Sequence, residues 1–199
     1  MSGFRRLHED EVYAGRIWRV VMATFESPDG ERFERDLVRS PGAVGVVPVV
    51  EGADGALDVL LVRQYRPTIE AEMLEIPAGM RDVEGEAPEH TAARELAEEV
   101  GQRADRLELL TVVHPSAGMS DATTHVYLAT GLHHVGIERH GPEEQHMTIL
   151  QVRLADAVAM VESGAITDGK TVAGLLLADR RLVGSGSWSG RSSPAPSTA

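Results

Sequence analysis

Apolar and polar positions alternate along much of the first third of the chain, then give way to helical spacing, and the order of the two periods predicts a mixed α and β protein. Residues 11–24 are apolar at several alternate positions and read as a strand. Pro28-Asp29-Gly30 marks a turn, and residues 31–39 return as a second strand, so the two make a hairpin. The run AVGVVPVV, residues 43–50, is apolar almost throughout, the pattern of a strand covered on both faces. Further strands are expected over residues 58–64, 72–76, 106–114, 124–131 and 148–153. Helical spacing appears before Gly101, over residues 155–163, and over residues 168–182, where Val172, Leu175, Leu176 and Leu182 fall on or near one stripe. From Gly184 the sequence becomes GSGSWSGRSSPAPSTA, a low-complexity tail expected to be disordered.

The helix before Gly101 carries the chemistry. Pro88 suits its first turn, and Gly101 suits a left-handed residue at its end. Ala92, Ala93, Leu96 and Val100 can bury one stripe, while Glu95, Glu98 and Glu99 stand at i, i+3 and i+4 and are expected to project from one face. Like charges so placed repel one another. A chain that keeps them needs a cation, and an all-oxygen donor set points to Mg²⁺ or Mn²⁺ rather than zinc.

Composition narrows the function classes. The chain has 199 residues, enough for one domain with a substantial core and a small appendage. Its net charge of −12 argues against a nucleic-acid backbone or an anionic membrane as partner. With no cysteine there is no disulfide, thiolate zinc site or cysteine nucleophile. No apolar leader or bilayer-length run is present, so a cytoplasmic protein is the expectation. His133, His134, His140 and His146 crowd one region without metal-binding spacing and read as surface residues. Gly169-Lys170-Thr171 lacks the upstream glycine of a phosphate-binding loop, and no G-x-S-x-G occurs.

The segment GMRDVEGEAPEHTAARELAEEVGQ, from Gly79 to Gln102, resembles the Nudix box, the signature of hydrolases acting on a nucleoside diphosphate linked to another group. Arg94-Glu95, Glu98-Glu99 and Gly101 match its core, and Glu86 matches its isolated glutamate. The loop from Gly79 to Glu86 holds six residues where the family has five, and Gln102 replaces a final apolar residue. Together with MLEIPAGM before the box and GMSDATTHVYLATGL after it, the likeness extends over roughly residues 10–182 to the ADP-ribose pyrophosphatase branch.

This resemblance implies an α/β fold: a Nudix α/β/α sandwich around a mixed sheet (residues 41–183), preceded by an N-terminal antiparallel β-sheet (residues 1–40) that helps build a swapped homodimer. It implies Glu95 and Glu99 as metal ligands, Glu98 as a ligand or a partner behind them, and the carbonyl of Ala78 as a backbone ligand. Gly79, Glu86, Arg94 and Gly101 become structural parts of the box, with Arg94 pairing Glu86 or, alternatively, Glu98. The base is expected from the loop ERHGPEEQHMTIL, with Glu144 the first choice and Glu143 the second. Arg66 and Arg35 would bind the substrate, since a guanidinium fork suits paired phosphate oxygens. Trp18 or Phe25 could stack on adenine, although core packing is the leading expectation for Trp18, and Ser120-Asp121 could line the ribose. The implied activity is Mg²⁺- or Mn²⁺-dependent cleavage of ADP-ribose to AMP and ribose 5-phosphate. Another nucleoside diphosphate derivative, such as a sugar nucleotide or dinucleotide, or a non-catalytic nucleotide sensor, is the alternative.

Overall fold

The computed structural model describes residues 3–52, 54–137 and 142–184. The expected tail from residue 185 onward and His140 lie outside the described residues.

Three strands come first: β1 (Arg5–Ala14), β2 (Arg19–Glu26) and β3 (Arg32–Arg39) form an antiparallel sheet in that order. The single strand expected over residues 11–24 is therefore two, broken at Gly15, whose N–H donates to the Trp18 carbonyl at 2.8 Å. The break escapes the pattern because β1, RRLHEDEVYA, is exposed and shows no alternation, and apolar residues fall on both sides of Gly15.

The second sheet contains β4 (Ala43–Glu51), β5 (Leu57–Arg66), β6 (Ala71–Glu75), β7 (Ala78–Met80), β8 (Gln102–Val113), β9 (Thr124–His134) and β10 (Thr148–Arg153). Its main path runs β10-β5-β4-β9-β8, with β6 paired to β5 and β7 to β4. The β4–β9 pair is parallel and the others are antiparallel, so the sheet is mixed. One flank of β4 is shared. Residues Ala43–Gly45 pair with β7 and Val49–Glu51 with β5, while the Val46 N–H donates to the Pro77 carbonyl. Pro48, which has no N–H to offer, falls in the gap between the two pairings, where a proline costs a central strand least.

Helices cover both faces. The helix α1 (Pro88–Val100) places Ala92, Leu96 and Val100 against Val44, Val46, Val62, Tyr127 and Ala129. The short α2 (Pro142–Gln145) precedes β10. On the other face α3 (Leu154–Glu162) and α4 (Gly169–Leu182) bring Leu154, Ala157, Leu175 and Ala178 onto Val47, Val49, Val59, Leu61, Val126 and Leu128. Neighbouring residues of β4 and β9 thus point to opposite layers, the period of two that an α/β/α sandwich requires.

Candidate active site

The helix α1 is built to end abruptly. Ala87 offers no side-chain cap, Pro88 takes the first turn, and Gly101 adopts φ 66° and donates to the carbonyls of Ala97 and Leu96. Its buried residues come in pairs one turn apart: Thr91 and Ala92, Glu95 and Leu96, Glu99 and Val100. Two of the inward positions on this helix are therefore carboxylates.

Glu95 and Glu99 are 7% and 3% exposed. Both face the start of the box, where the Ala78 N–H donates to Glu99 Oε2 at 2.9 Å. At Gly79 a Cβ would come 2.0 Å from the carboxyl carbon of Glu95, so a glycine is the residue that lets the strand approach this closely. Burial pushes the Glu95 carboxyl up to about 7, with Arg94 opposing the shift and the charges of Glu98 and Glu144 adding to it. Burial likewise pushes Glu99 up to about 8, against the Ala78 N–H and Arg66 and with help from Glu95 and Glu144. Glu144 is thus within electrostatic reach of both, although it comes from α2, far along the chain. The side chain of Glu143 lies outside the described residues.

Of the three box glutamates, Glu98 lies at the less buried rim and stays linked to Glu95 through Arg94. Glu98 turns toward Arg94, whose Nη1 reaches Glu98 at 3.0 Å and Glu95 at 2.8 Å. The same guanidinium lies 3.6 Å from Glu86 and 3.8 Å from Asp82. Both pairings anticipated for Arg94 are present together, and the Thr91 hydroxyl donates to Glu86 at 2.8 Å. The loop before α1 is therefore braced on the helix it precedes.

Arg66, at the end of β5, binds both oxygens of Glu75 through Nε and Nη2 at 2.6 Å each. Glu75 also contacts Lys170, which reaches Asp168 at 3.0 Å. Sequence reasoning passed over this buried network, although a glutamate in the apolar run MLEIPAG was its signal. Arg35 lies on the N-terminal sheet with its guanidinium 4.8 Å from the Phe33 ring centre, and Phe33 stacks on Phe25 at 5.6 Å. Trp18 is not a core residue: it is half-exposed and borders an apolar hollow with Tyr13, Ile17, Val20 and Val38. The turn at residues 15–18 lifts it off the sheet. Asp121 accepts from Arg39 Nη1 at 3.1 Å and from the Ser40 N–H at 3.0 Å. It lines a cleft of about 470 Å³ with Arg16, Arg19, Arg39, Arg81 and Asp82.

A divalent cation suits this arrangement. Two carboxylates that burial drives toward the protonated form despite Arg94 and the Ala78 N–H, beside a third acid, are an oxygen donor set for a hard ion. Among the described residues, no three such side chains already converge as a closed cage. Glu95, Glu99 and the Ala78 backbone are the groups that could hold the ion.

The profile of the NUDIX domain matches residues 39–181. The chain belongs to the Nudix family. It is 34% identical over 167 residues to the ADP-ribose pyrophosphatase of Bacillus subtilis, covering 84% of this chain and 88% of that one. It is 35% identical over 173 residues to the ADP-ribose pyrophosphatase of Mycobacterium tuberculosis, covering 87% and 82%. A third relative, the methanol dehydrogenase activator of Bacillus methanolicus, is 31% identical and covers 84% and 88%. The crystal structure of an ADP compounds hydrolase superposes with a TM-score of 0.77 over 92% of this chain and 96% of its own, at 24% identity, a likeness of fold. This Nudix protein is accordingly an enzyme of the hydrolase type, and no helix among its described residues is long and apolar enough to cross a membrane.

Proposed function

We propose that this Nudix enzyme hydrolyses the diphosphate of ADP-ribose to AMP and ribose 5-phosphate, using Mg²⁺ or Mn²⁺. The observation that carries the reading is the pair of buried carboxylates, Glu95 and Glu99, one helical turn apart against Ala78 and Gly79. The substrate rests on the two ADP-ribose pyrophosphatases that share about a third of their residues with this chain.

Glu95, Glu99 and the Ala78 carbonyl would hold the ion, and Glu98 steadies Arg94 behind them. When bound, the cation neutralises the diphosphate and favours charge developing on its oxygens. Arg66 offers N–H groups to a phosphate oxygen. Glu144, or Glu143 beside it, takes a proton from the attacking water. Water adds to one phosphorus, the bond from that phosphorus to the bridging oxygen breaks, and the two phosphates part as monoesters. Residues 1–40 form a dimerising sheet that carries Arg35, residues 41–183 the hydrolase domain, and residues 184–199 a tail. The active species is a cytoplasmic homodimer.

Product analysis tests this directly. ADP-ribose with Mg²⁺ should yield AMP and ribose 5-phosphate in equal amounts, faster than sugar nucleotides or dinucleotides are consumed. Turnover confined to another nucleoside diphosphate derivative would replace the substrate and keep the chemistry. No turnover of any of them would replace the hydrolase with a nucleotide sensor.

A further inference from the structure

We propose that Glu75 is a positioning residue: held by Lys170 from α4, it sets the guanidinium of Arg66 so that its remaining donor edge is presented to the diphosphate. The inference rests on reading Arg66 as a substrate contact.

Glu75 is 1% exposed, a position at which a carboxylate survives only when it is paired and hydrogen-bonded. Burial alone would push its carboxyl up, but the Arg66 fork and Lys170 outweigh burial and hold it below the ordinary carboxylate value. Arg66 uses Nε and Nη2 on the two Glu75 oxygens at 2.6 Å each. A guanidinium has five N–H donors in a rigid plane, so fixing one edge fixes the direction of the other. The free edge carries Nη1. Val62, Gln64 and Arg66 share one face of β5, and Val62 packs into the cluster beneath α1. Arg66 is also one of the charges acting on Glu99. The unused edge thus belongs to a cation whose charge already acts on Glu99.

The clamp is not local to the β5–β6 hairpin. Lys170 lies in the first turn of α4, and Asp168, the cap of that helix, accepts from Lys170 Nζ at 3.0 Å and from the Thr171 N–H at 2.9 Å. The Thr171 hydroxyl accepts from the Ile76 N–H at 3.0 Å, next along the chain from Glu75. Two cations share one carboxylate, and a second carboxylate steadies one of them. Two cations and two carboxylates leave the cluster neutral, so what Arg66 offers an anion is the fixed direction of its Nη1 donors rather than surplus charge.

The test is a double-mutant cycle read as affinity. A non-hydrolysable methylene analogue of ADP-ribose is titrated calorimetrically, with Mg²⁺, into the wild-type protein, R66A, E75Q and R66A/E75Q. E75Q and R66A should each weaken binding on the order of tenfold, the size of a lost charge-assisted fork. The double variant should be no weaker than R66A, because Glu75 acts through Arg66. K170M, which keeps the fork but frees it from α4, should bind about threefold more weakly with its fold intact by circular dichroism; it carries the test if E75Q does not fold. Losses that add in the double variant, or E75Q and K170M binding as wild type while R66A does not, would overturn the positioning role alone. R66A binding as wild type would overturn both it and the reading of Arg66. Turnover of ADP-ribose by the wild-type protein reports separately on the proposed reaction.

Discussion

A methyl group at Gly79 would lie inside the carboxyl group of Glu95, 2.0 Å from its Cδ, so the glutamate would have to swing away from the position it holds beside β7. Gly79→Ala should therefore displace Glu95 and lower kcat by two orders of magnitude or so with the fold retained, measured by turnover and circular dichroism. The same carboxylates give the protein a pH dependence whose sign can be worked out. Their folded-state values, about 7 for Glu95 and about 8 for Glu99, stand above the ordinary 4.5. The folded protein then binds more protons than the unfolded one between those values, so its stability falls as pH rises from about 4.5 through 8. A divalent cation bound there, as proposed, would take the place of those protons. Melting curves from pH 5 to 8.5 should show Tm falling with pH in EDTA, and Mg²⁺ raising Tm more at pH 8 than at pH 6. A melting point insensitive to both would refute the ligand assignment of Glu95 and Glu99.

At the scale of elements, α1 positions the site and Gly101 ends α1. Gly101 combines φ 66° with a neighbour, Ile137 Cγ1, that an added Cβ would approach to 2.8 Å. Gly101→Ala should cost at least about 1–2 kcal/mol from the left-handed backbone, read as a lowered denaturation midpoint. Elements with a strong local pattern were legible from the sequence: β4 stands where a continuous apolar run put it, α1 where proline and glycine did, and α4 where a helical stripe did. The β1–β2 turn was not, because β1 has no apolar alternation and its partner strand supplies the register. Nor was the difference in burial between Glu98 and its two neighbours, since spacing on a helix fixes a direction only to within the width of a face. The box itself was legible because its parts are consecutive. In the Arg66–Glu75–Lys170 cluster the glutamate within MLEIPAG hints at a buried charge, but Lys170 lies 95 positions from Glu75 and no local pattern names it as the partner.

At the scale of the molecule, the N-terminal sheet leaves Phe4, Val12, Tyr13, Ile17 and Trp18 exposed, an apolar surface that one chain leaves bare. If a second copy covers this surface, as proposed, the chain should run as a dimer in light scattering coupled to gel filtration despite its net charge of −12. The double substitution Tyr13→Arg and Trp18→Arg should shift it toward the monomer without unfolding the second sheet, judged by hydrogen exchange of β4 and β9. A wild-type monomer at micromolar concentration would dismiss the interface.

The parallel pairing of β4 with β9 also sets a timetable. Ala43 finds its partner in Thr124, and Pro48 in Ala129, so the strand at the middle of the sandwich is made long before the strand it lies beside. On the ribosome the run AVGVVPVV must wait, with one flank unfilled, while the box helix and β8 are synthesised. The sheet can close only once β9 has been made, and its second face only after α3 and α4, so the apolar centre is the stretch that would need shielding in the interval.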